Sequence, residues 1–207
     1  MAKAIPMIIT NDKILVKDSQ CNEFCVFSIP GLQSTPNIPF YHQYAKKIAE
    51  SQAAFKIFMK EKYGKRLGKY VLAIIVPDDT SRLEQIFINE FFLNSGACKA
   101  VAQAHMAQTV SKSDMSYVSI SKTMRNVVLH YVKNSEIIAS KYYDASDYSV
   151  EKVLKDAKRI HIDVEYNDPP VYINDFELNM EDFHSAGAVI TPKAFMKKIE
   201  NIDIEKI

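Results

Sequence analysis

Glycine is scarce in this sequence: it occurs five times in 207 residues, whereas its ordinary share is about 7%. Loops whose bare backbone approaches a phosphate depend on glycine, so the chain can build few of them. Tryptophan is absent, and the three cysteines are an odd count. No run approaches the roughly 20 apolar residues that a membrane-spanning helix needs. These shortages argue against a membrane span and indicate reduced thiols.

An excess of charge of one sign is also lacking. Lysine and arginine number 26 and aspartate and glutamate 25, which gives a net charge of +1. This balance provides no general attraction to nucleic acid or to an anionic membrane. The start, Met1–Thr10, has one lysine and too short an apolar run for a signal peptide. Together with the reduced thiols, these features predict a cytoplasmic protein.

What is present is the composition of a globular protein, with 47% hydrophobic and 25% charged residues. The chain is long enough for one domain or for two small subdomains. Val71–Val76 is a continuous apolar run, which is typical of a strand buried on both faces. In the first half we predict strands at Ile5–Ile9, Ile14–Lys17, Glu23–Ser28, Val71–Val76 and Cys98–Gln103, and helices at Phe40–Tyr63, Leu83–Leu93 and Met106–Val110.

The second half repeats this order. Tyr117–Ser121 and Val127–Tyr131 are β-rich runs around a polar stretch, which predicts an antiparallel hairpin with Lys122–Asn126 as its connection. Ser149 is predicted to cap a helix. The other predicted elements are a strand at Glu136–Tyr143, the capped helix to Lys158, a strand at Ile160–Val164, a segment at Val171–Phe176, a strand at Ala188–Thr191 and a helix at Lys193–Ile199.

Both halves therefore follow the order β-β-β-α-β-α-β. An antiparallel meander followed by strands on crossover helices is the order of the ribonuclease-H-like unit. Two such units in tandem form the core of the actin-like fold. We predict an α/β chain with a first subdomain at residues 1–110 and a second at residues 111–207, without large insertions.

Local sequence supports the same architecture at four places. These are Ile74–Pro77 with Ser81, Glu84 and Asn94–Ala97; Ala102–Ala107; Ser119–Val127 with Asn134–Ser140; and Ala188–Thr191. They resemble, in that order, a buried strand with its helix, a connecting stretch, the second phosphate hairpin and the adenosine strand of the actin-like ATPase superfamily. The chain is identified as a degenerate, minimal member, nearest to bacterial rod-shape and cell-division actins and to the actin-like adaptors of pilus and secretion systems.

The resemblance implies a nucleotide site, which that superfamily builds from glycine turns and from carboxylates that hold magnesium. Here other residues stand at those positions. Side chains would crowd a phosphate, and proline removes a backbone donor. We therefore predict that no catalytic residue, cofactor or metal site remains. The degenerate positions are Thr10, Asn11 and Asp12 in the first hairpin, Gln103–His105 in the connecting segment, Ser119, Ser121, Lys122 and Thr123 in the second hairpin, and Thr191 and Pro192 in the adenosine loop.

The missing chemistry favours a pseudo-ATPase, a non-catalytic interaction or scaffold protein of the bacterial cytoplasm. Its partner would be a protein, a second copy of the chain included, and neither a nucleic acid nor a membrane. One alternative is an actin-like ATPase with atypical phosphate loops. Another is a nucleic-acid-binding module built on a basic stretch. Because the net charge of the whole chain is close to zero, we favour the interpretation that this stretch is a solvated helix face. That stretch comprises Lys56, Lys60, Lys62, Lys65, Arg66 and Lys69.

Other kinds of site have weaker support. Cys21 and Cys25 are too far apart for a Cys-x-x-Cys knuckle. Asp78 and Asp79 follow a buried strand, where ligands gather in α/β proteins, so they are a candidate carboxylate pair. Helix capping by Asp79 or Thr80 is the favoured interpretation. The histidines lie on separate elements, two of them inside strand patterns (His130 and His161); the others are His42, His105 and His184.

The two predicted meanders would leave sheet edges, and an uncovered edge invites β-pairing with another chain. The edges of the Ile5–Ser28 and Tyr117–Tyr143 meanders are the predicted interaction surfaces. Charges such as Lys17, Lys133 or Lys141 can instead blunt such edges, which is the alternative interpretation.

Overall fold

A computed structural model describes residues 3–21, 23–28, 38–176 and 178–200. Over these residues the chain forms two compact units, one that comprises the residues up to Ala104 together with Glu200 and one from His105 to Ile199. Each unit contains one five-stranded sheet together with helices, so the predicted α/β class is confirmed. The predicted boundary after residue 110 lies one short helix beyond this division.

The strands of the first unit are β1 (Lys3–Ile9), β2 (Ile14–Lys17), β3 (Phe24–Phe27), β4 (Tyr70–Val76) and β5 (Ala100–His105). They follow the order β3-β2-β1-β4-β5, with β1 antiparallel to β2 and parallel to β4. Ile8 of β1 lies opposite Ile75 of β4, and both side chains are buried. The central strands are therefore covered on both faces, as the apolar run of β4 predicts.

The α-helices of the first unit are α1 (Ile48–Tyr63) and α2 (Arg82–Asn94). The predicted single helix at Phe40–Tyr63 was wrong in its first part, because residues 40–47 form a 3₁₀ helix before α1. Tyr41 and Tyr44 are both buried there. Their three-residue spacing places them on one side of a helix with three residues per turn. Within the described ranges no helix is long and apolar enough to cross a membrane.

The second unit contains strands β6 (Ser116–Lys122), β7 (Asn126–Lys133), β8 (Glu136–Asp144), β9 (Val171–Asn174) and β10 (Ala188–Ile190), and helices α3 (Met106–Thr109), α4 (Val150–Ala157), α5 (Ile162–Asn167) and α6 (Pro192–Ile199). Its sheet order, β10-β9-β6-β7-β8, is the arrangement of the first unit read from the other edge. β6 and β7 pair antiparallel, with Ser119 opposite His130, so the predicted hairpin is confirmed.

The predicted strand at Ile160–Val164 is wrong, because this segment enters helix α5. The Nδ1 atom of His161 accepts a hydrogen bond from the Asp163 N–H at 3.1 Å and so caps the helix. Apolar residues at alternate positions resemble a strand, yet Val164 is buried whereas Ile162 is 61% exposed. Asp168, with φ of 42°, ends the helix, and the fourth strand of the unit is β9.

Candidate functional site

The turn between β1 and β2 is closed by the side chain of Thr10. Its Oγ1 atom accepts hydrogen bonds from the backbone N–H groups of Asp12, at 3.3 Å, and Lys13, at 3.0 Å. Its own proton can go to Asp12 Oδ1, at 2.9 Å, or to the Lys13 carbonyl oxygen, at 3.0 Å. The Thr10 N–H also donates to that carbonyl. The N–H groups of Asp12 and Lys13 are thus bonded inside the turn, whereas a phosphate-binding turn directs such groups at its ligand.

The turn between β6 and β7 repeats this arrangement with Thr123. The backbone N–H groups of Arg125, at 3.2 Å, and Asn126, at 3.0 Å, donate to Thr123 Oγ1. The Thr123 N–H donates to the Asn126 carbonyl oxygen at 2.8 Å. Thr10 and Thr123 are both buried. Thr123 is the last of the three residues that are predicted to stand in place of the glycines of the second hairpin. The same residue therefore closes the turn.

Ser119 stands where the resemblance implies an aspartate that helps to hold magnesium. It is 1% exposed, and its Oγ atom has no hydrogen-bond partner among the described residues. The same is true of the buried Oδ1 atom of Asn174 on β9, again within the described part of the chain. Ser121 lies opposite Asn174, which places Ser119 and Asn174 on one face of neighbouring strands. Neither oxygen carries a charge that would balance a divalent cation.

Three further hairpin and loop positions take part in local structure: Lys122, Thr191 and Pro192. Lys122 Nζ donates to the Tyr148 hydroxyl at 3.2 Å and lies 5.0 Å from the centroid of that ring. Thr191 Oγ1 accepts from the Ala194 N–H at 3.3 Å, as a helix-capping residue does. Pro192 is the first residue of α6, a position where proline fits because its N–H would have no helical partner.

The connecting segment holds an amide where the resemblance implies a carboxylate. Gln103 Nε2 donates to the Gln85 carbonyl oxygen at 2.9 Å and to Asn89 Oδ1 at 2.7 Å, both on α2. The N–H of His105 donates to Gln108 Oε1 at 2.9 Å and thereby helps to start α3. Gln103 and His105 are thus engaged with the helices beside them.

Ser81 caps helix α2, so the prediction that Asp79 or Thr80 caps it was wrong. The Glu84 N–H donates to Ser81 Oγ at 3.3 Å, and the Ser81 N–H donates to Glu84 Oε2 at 2.6 Å. This reciprocal pair is a capping box. The cap falls later than predicted because residues 77–80 first form a hydrogen-bonded turn.

Across the described residues, no three His, Cys, Asp or Glu side chains converge as a metal site would require. Asp78 is buried within the first unit. His130 lies in β7, as its pattern predicts, with Nδ1 at 2.8 Å from Ser140 Oγ. His161 lies in no strand, because it caps α5. These two histidines have structural partners on their own unit.

A cluster around Asp18 escaped sequence prediction. The Asp18 carboxylate accepts hydrogen bonds from the Cys25 thiol at 2.9 Å, from Lys62 Nζ at 2.8 Å and from the Gln20 N–H at 2.8 Å. The Cys25 and Lys62 hydrogen bonds lower the pKa of Asp18, and the same carboxylate raises the pKa of Cys25. A thiol with a raised pKa is a poor nucleophile. Asp18 and Lys62 are far apart in sequence, so no local motif could reveal the cluster.

A surface pocket of about 190 Å³ lies beside α2 in the first unit. Its lining contains a close pair, His42 Nε2 and Glu84 Oε1, 2.7 Å apart. Because Glu84 also takes part in the capping box, the pair fixes the 3₁₀ helix to the start of α2. The pocket is lined by His42, Ala45, Leu83, Glu84 and Phe87.

The predicted basic stretch has some of its cations in local contacts. Lys62 pairs with Asp18, and Lys69 Nζ lies 5.0 Å from the centroid of the Tyr70 ring. Lys65 is exposed on the exit loop of α1. This geometry fits a solvated helix face and its exit loop.

Of the predicted meander edges, the outermost strands are β3 and β8. β3 has four residues, whereas β8 has nine, with exposed and half-buried side chains in strict alternation. Two large apolar side chains of β8 are exposed, Ile138 at 45% and Tyr142 at 54%. The second unit therefore presents a long, partly apolar sheet edge.

Comparison with known proteins identifies the fold to which this architecture belongs. No known family profile matches the sequence, and no curated protein matches it significantly. A Porphyromonas gingivalis protein assigned as an N-acetylglucosamine kinase superposes with a TM-score of 0.54 at 8% identity, over 96% of this chain and 99% of that one. The AlfA filament bound to AMPPNP gives a TM-score of 0.50 at 12% identity, over 93% and 90% of the two chains. This chain has the actin-like fold.

The actin-like fold confirms the predicted resemblance and the tandem ribonuclease-H-like architecture. The coverage of both chains is nearly complete, which agrees with the predicted lack of large insertions. At 8% and 12% identity, these likenesses establish the fold alone.

Proposed function

We propose that this chain is a non-catalytic actin-like protein of the bacterial cytoplasm, which has lost nucleotide binding and acts by contacting other proteins. The observation that carries the proposal is the closure of both hairpins by their own threonines, Thr10 and Thr123. To bind a phosphate, each turn would have to break bonds to a buried hydroxyl. Each broken hydrogen bond costs about 0.5–1.5 kcal/mol.

The residues at the implied magnesium position support the same proposal. Ser119 is buried and neutral, and it lies on one face of the sheet with Asn174. ATP carries magnesium, which binds proteins through carboxylates and waters. A buried serine hydroxyl supplies a weak, uncharged ligand, so the cation would gain little from this position.

Contact with other proteins is supported by the edge of the second unit. β8 combines an unusual length for an edge strand with exposed Ile138 and Tyr142. Such edges form hydrogen bonds with strands of other chains. A chain that has lost nucleotide binding would keep the rigid actin-like fold. The residues that could still make functional contacts would then lie on its surface.

The second candidate function is an actin-like ATPase with atypical phosphate loops. It is favoured by the neighbour AlfA, which has the same fold at a TM-score of 0.50 and whose filament is bound to AMPPNP. That observation concerns AlfA itself. For this chain, an ATPase function requires the Thr10 and Thr123 turns to open when the nucleotide binds.

The two candidates are separated by calorimetry and thermal denaturation with ATP and magnesium, with magnesium alone as the control. A ligand at 100 times its dissociation constant stabilises a protein by about 2.7 kcal/mol. For a chain of this size each kcal/mol raises the melting temperature by about 2–4 °C. We expect no heat of binding and no shift at millimolar ATP. A micromolar dissociation constant would disprove the loss of nucleotide binding and support the ATPase.

A further inference from the structure

We propose that helix α2 packs antiparallel against α2 of a second copy, about a two-fold axis at Ile86, so that each copy places Leu83 at the apolar pocket of the other. This inference deepens the proposed function and rests on it, because it names a second copy as a protein partner and one face of α2 as the surface of contact.

Helix α2 buries one face in the core of the first unit and exposes apolar side chains on the other. Ile88 is 2% exposed, whereas Ile86, about 200° away around the helix, is 46% exposed. Leu83, at 78%, and Leu93, at 38%, lie on the same side of the helix as Ile86. These three residues, with the exposed Arg82 and Glu90, form what we call the outer face of α2. A row of large apolar groups on a helix is typical of a surface that packs against another helix.

The surface pocket of the first unit lies on the Leu83 side of this outer face. It has about 190 Å³ of space between Leu83 and Phe87 of α2 and Ala45 of the 3₁₀ helix. Its two polar lining side chains, His42 and Glu84, bond to each other at 2.7 Å. An apolar side chain can therefore enter without taking a hydrogen-bond partner from either residue. The pocket suits an apolar group of a protein partner better than a polar small molecule, which needs free polar groups to orient it.

The charges of the outer face favour a second copy as that partner. Arg82 lies four residues before Ile86 and Glu90 lies four residues after it. A two-fold axis at Ile86 therefore brings Arg82 of each copy level with the partner's Glu90, twice. Parallel helices would instead bring like charges level with each other. Among the described residues, neither Arg82 nor Glu90 is already engaged in an ion pair.

The same axis brings each Leu83 to the partner's pocket. Leu83 and Phe87 are about 40° apart around α2, so they lie on one flank of the helix. A two-fold axis perpendicular to both helices keeps the two copies of this flank on one side of the pair. Leu83 is three residues before the axis and Phe87 one residue after it, which leaves Leu83 about 3 Å along the pair from the partner's Phe87. The apolar contacts and the charges thus agree on one arrangement, with the two Ile86 side chains at its centre.

This arrangement predicts a reversible dimer that weakens in salt. A single pair of helices buries less than the roughly 1,200 Å² of a stable standard interface, so we expect dissociation constants in the micromolar range. Because opposite charges lie level in the two copies, salt that screens them should weaken the dimer.

Sedimentation velocity of the full chain over a concentration series tests the dimer. Ile86→Lys should weaken it at least about tenfold, because it places two like charges together on the axis. Ile57→Lys is the matched control, since Ile57 is a 58% exposed isoleucine of α1 in the same unit and lies outside the outer face of α2. It should leave the dimer unchanged. A chain that stays monomeric at high micromolar concentration, or two variants that behave alike, overturns the pairing.

A mixing experiment tests whether Arg82 and Glu90 face each other across two copies. Arg82→Glu and Glu90→Arg should each weaken the dimer about fivefold or more, because each variant has like charges at both positions. An equal mixture of the two should dimerise again, since one variant then supplies both negative charges and the other both positive charges. A mixture that associates no better than its separate components contradicts the antiparallel pairing.

These outcomes are independent of nucleotide binding. A monomer that binds no ATP would overturn the α2 pairing and leave the loss of nucleotide binding intact. A dimer that binds ATP at micromolar concentration would do the reverse. Unchanged far-UV circular dichroism and thermal unfolding of each variant exclude misfolding as the cause of a lost dimer.

Discussion

Thr10 and Thr123 hold the same place in the two hairpins of the chain. Each threonine accepts hydrogen bonds through Oγ1 from the backbone N–H groups two and three residues later. Each also donates its own N–H to the carbonyl three residues later, Lys13 in one hairpin and Asn126 in the other. The duplication of the fold therefore extends to its turn chemistry, and in both copies a hydroxyl is bonded to N–H groups that a glycine turn would direct at a phosphate.

Replacing either threonine by valine should destabilise the protein by about 1–3 kcal/mol, because buried donors lose their acceptor while the side-chain shape is kept. Urea denaturation measures the effect for Thr10→Val and Thr123→Val. Thr10→Ser and Thr123→Ser retain the hydroxyl and should lie close to the parent protein. If valine and serine variants unfold alike, the hydroxyls do not hold the turns.

The sequence predicted the second hairpin correctly, because its two β-rich runs leave only a short polar connection between them. It also places Ser121, Lys122 and Thr123 where the resemblance implies glycines, and that assignment stays a prediction. It could not show that Thr123 faces back into its own turn, since that depends on the closure of β6 against β7. The same residue type in the same pattern could equally expose its hydroxyl to solvent.

The wrong strand prediction and the features that the sequence did not reveal have identifiable physical causes. Ile160, Ile162 and Val164 alternate like a strand, but the cap at His161 starts a helix and leaves Ile162 in solvent. Local periodicity cannot weigh such a cap against strand pairing. The cluster that joins Asp18 to Lys62 depends on tertiary structure, and so does the position of β8 at the sheet edge. Neither leaves a pattern in local sequence.

Gly187→Ala should destabilise the second unit by about 1–3 kcal/mol, the usual cost of overpacking. A Cβ atom at Gly187 would lie 2.2 Å from the Val171 carbonyl oxygen, which is backbone and cannot move aside cheaply. Gly68→Ala is the matched control, because a Cβ atom there meets no described atom within 4 Å. It should change stability by no more than about 0.5 kcal/mol. Equal denaturation midpoints for the two variants would contradict the close approach.

The three thiols should react with a disulfide reagent at pH 8 in the order Cys21, then Cys25 and Cys98. Cys21 is exposed, whereas burial raises the pKa of Cys98 to about 11. Each unit of pKa removes roughly nine-tenths of the thiolate at this pH, so Cys98 should react on the order of a hundredfold more slowly than an ordinary thiol. The measurement is the release of the coloured thiol over time, with mass spectrometry to assign each site.

Asp18→Asn should speed the reaction of Cys25 and leave Cys98 unchanged. The hydrogen bond to the Asp18 carboxylate raises the pKa of Cys25, so removal of that negative charge should restore thiolate at pH 8. Because Cys98 has its pKa raised by burial, it serves as an internal control. An unchanged Cys25 rate would contradict the role of Asp18.

Asp18→Asn should also remove a pH-dependent part of the stability. The hydrogen bonds from Cys25 and Lys62 lower the pKa of Asp18, so the folded state binds a proton there less readily than the unfolded state. This stability is complete above the unfolded pKa of about 3.9 and is lost as the pH falls through the folded value. The melting temperatures of the parent and variant should differ most between pH 5 and 7 and converge in acid. A difference in melting temperature that does not change with pH would contradict the role of the Asp18 carboxylate.

The last prediction concerns the implied magnesium position. Ser119 is 1% exposed with an unpartnered Oγ atom among the described residues, so Ser119→Ala removes a buried polar group that gains no hydrogen bond. Its stability should equal or slightly exceed that of the parent. Ser119→Asp restores the carboxylate that the superfamily resemblance implies, but buries a charge, and should cost about 3 kcal/mol or more.

The two Ser119 variants also distinguish a lost site from a hidden one. If the closed hairpin turns are the cause of the lost nucleotide binding, magnesium with ATP should not stabilise the Ser119→Asp variant. The reason is that the N–H groups beside Thr10 and Thr123 remain bonded within their turns. Thermal denaturation with magnesium alone, ATP alone and both together measures this directly. A recovery that requires both would mean that the turns can open, and that a single serine at residue 119 is what separates this chain from a nucleotide-binding protein.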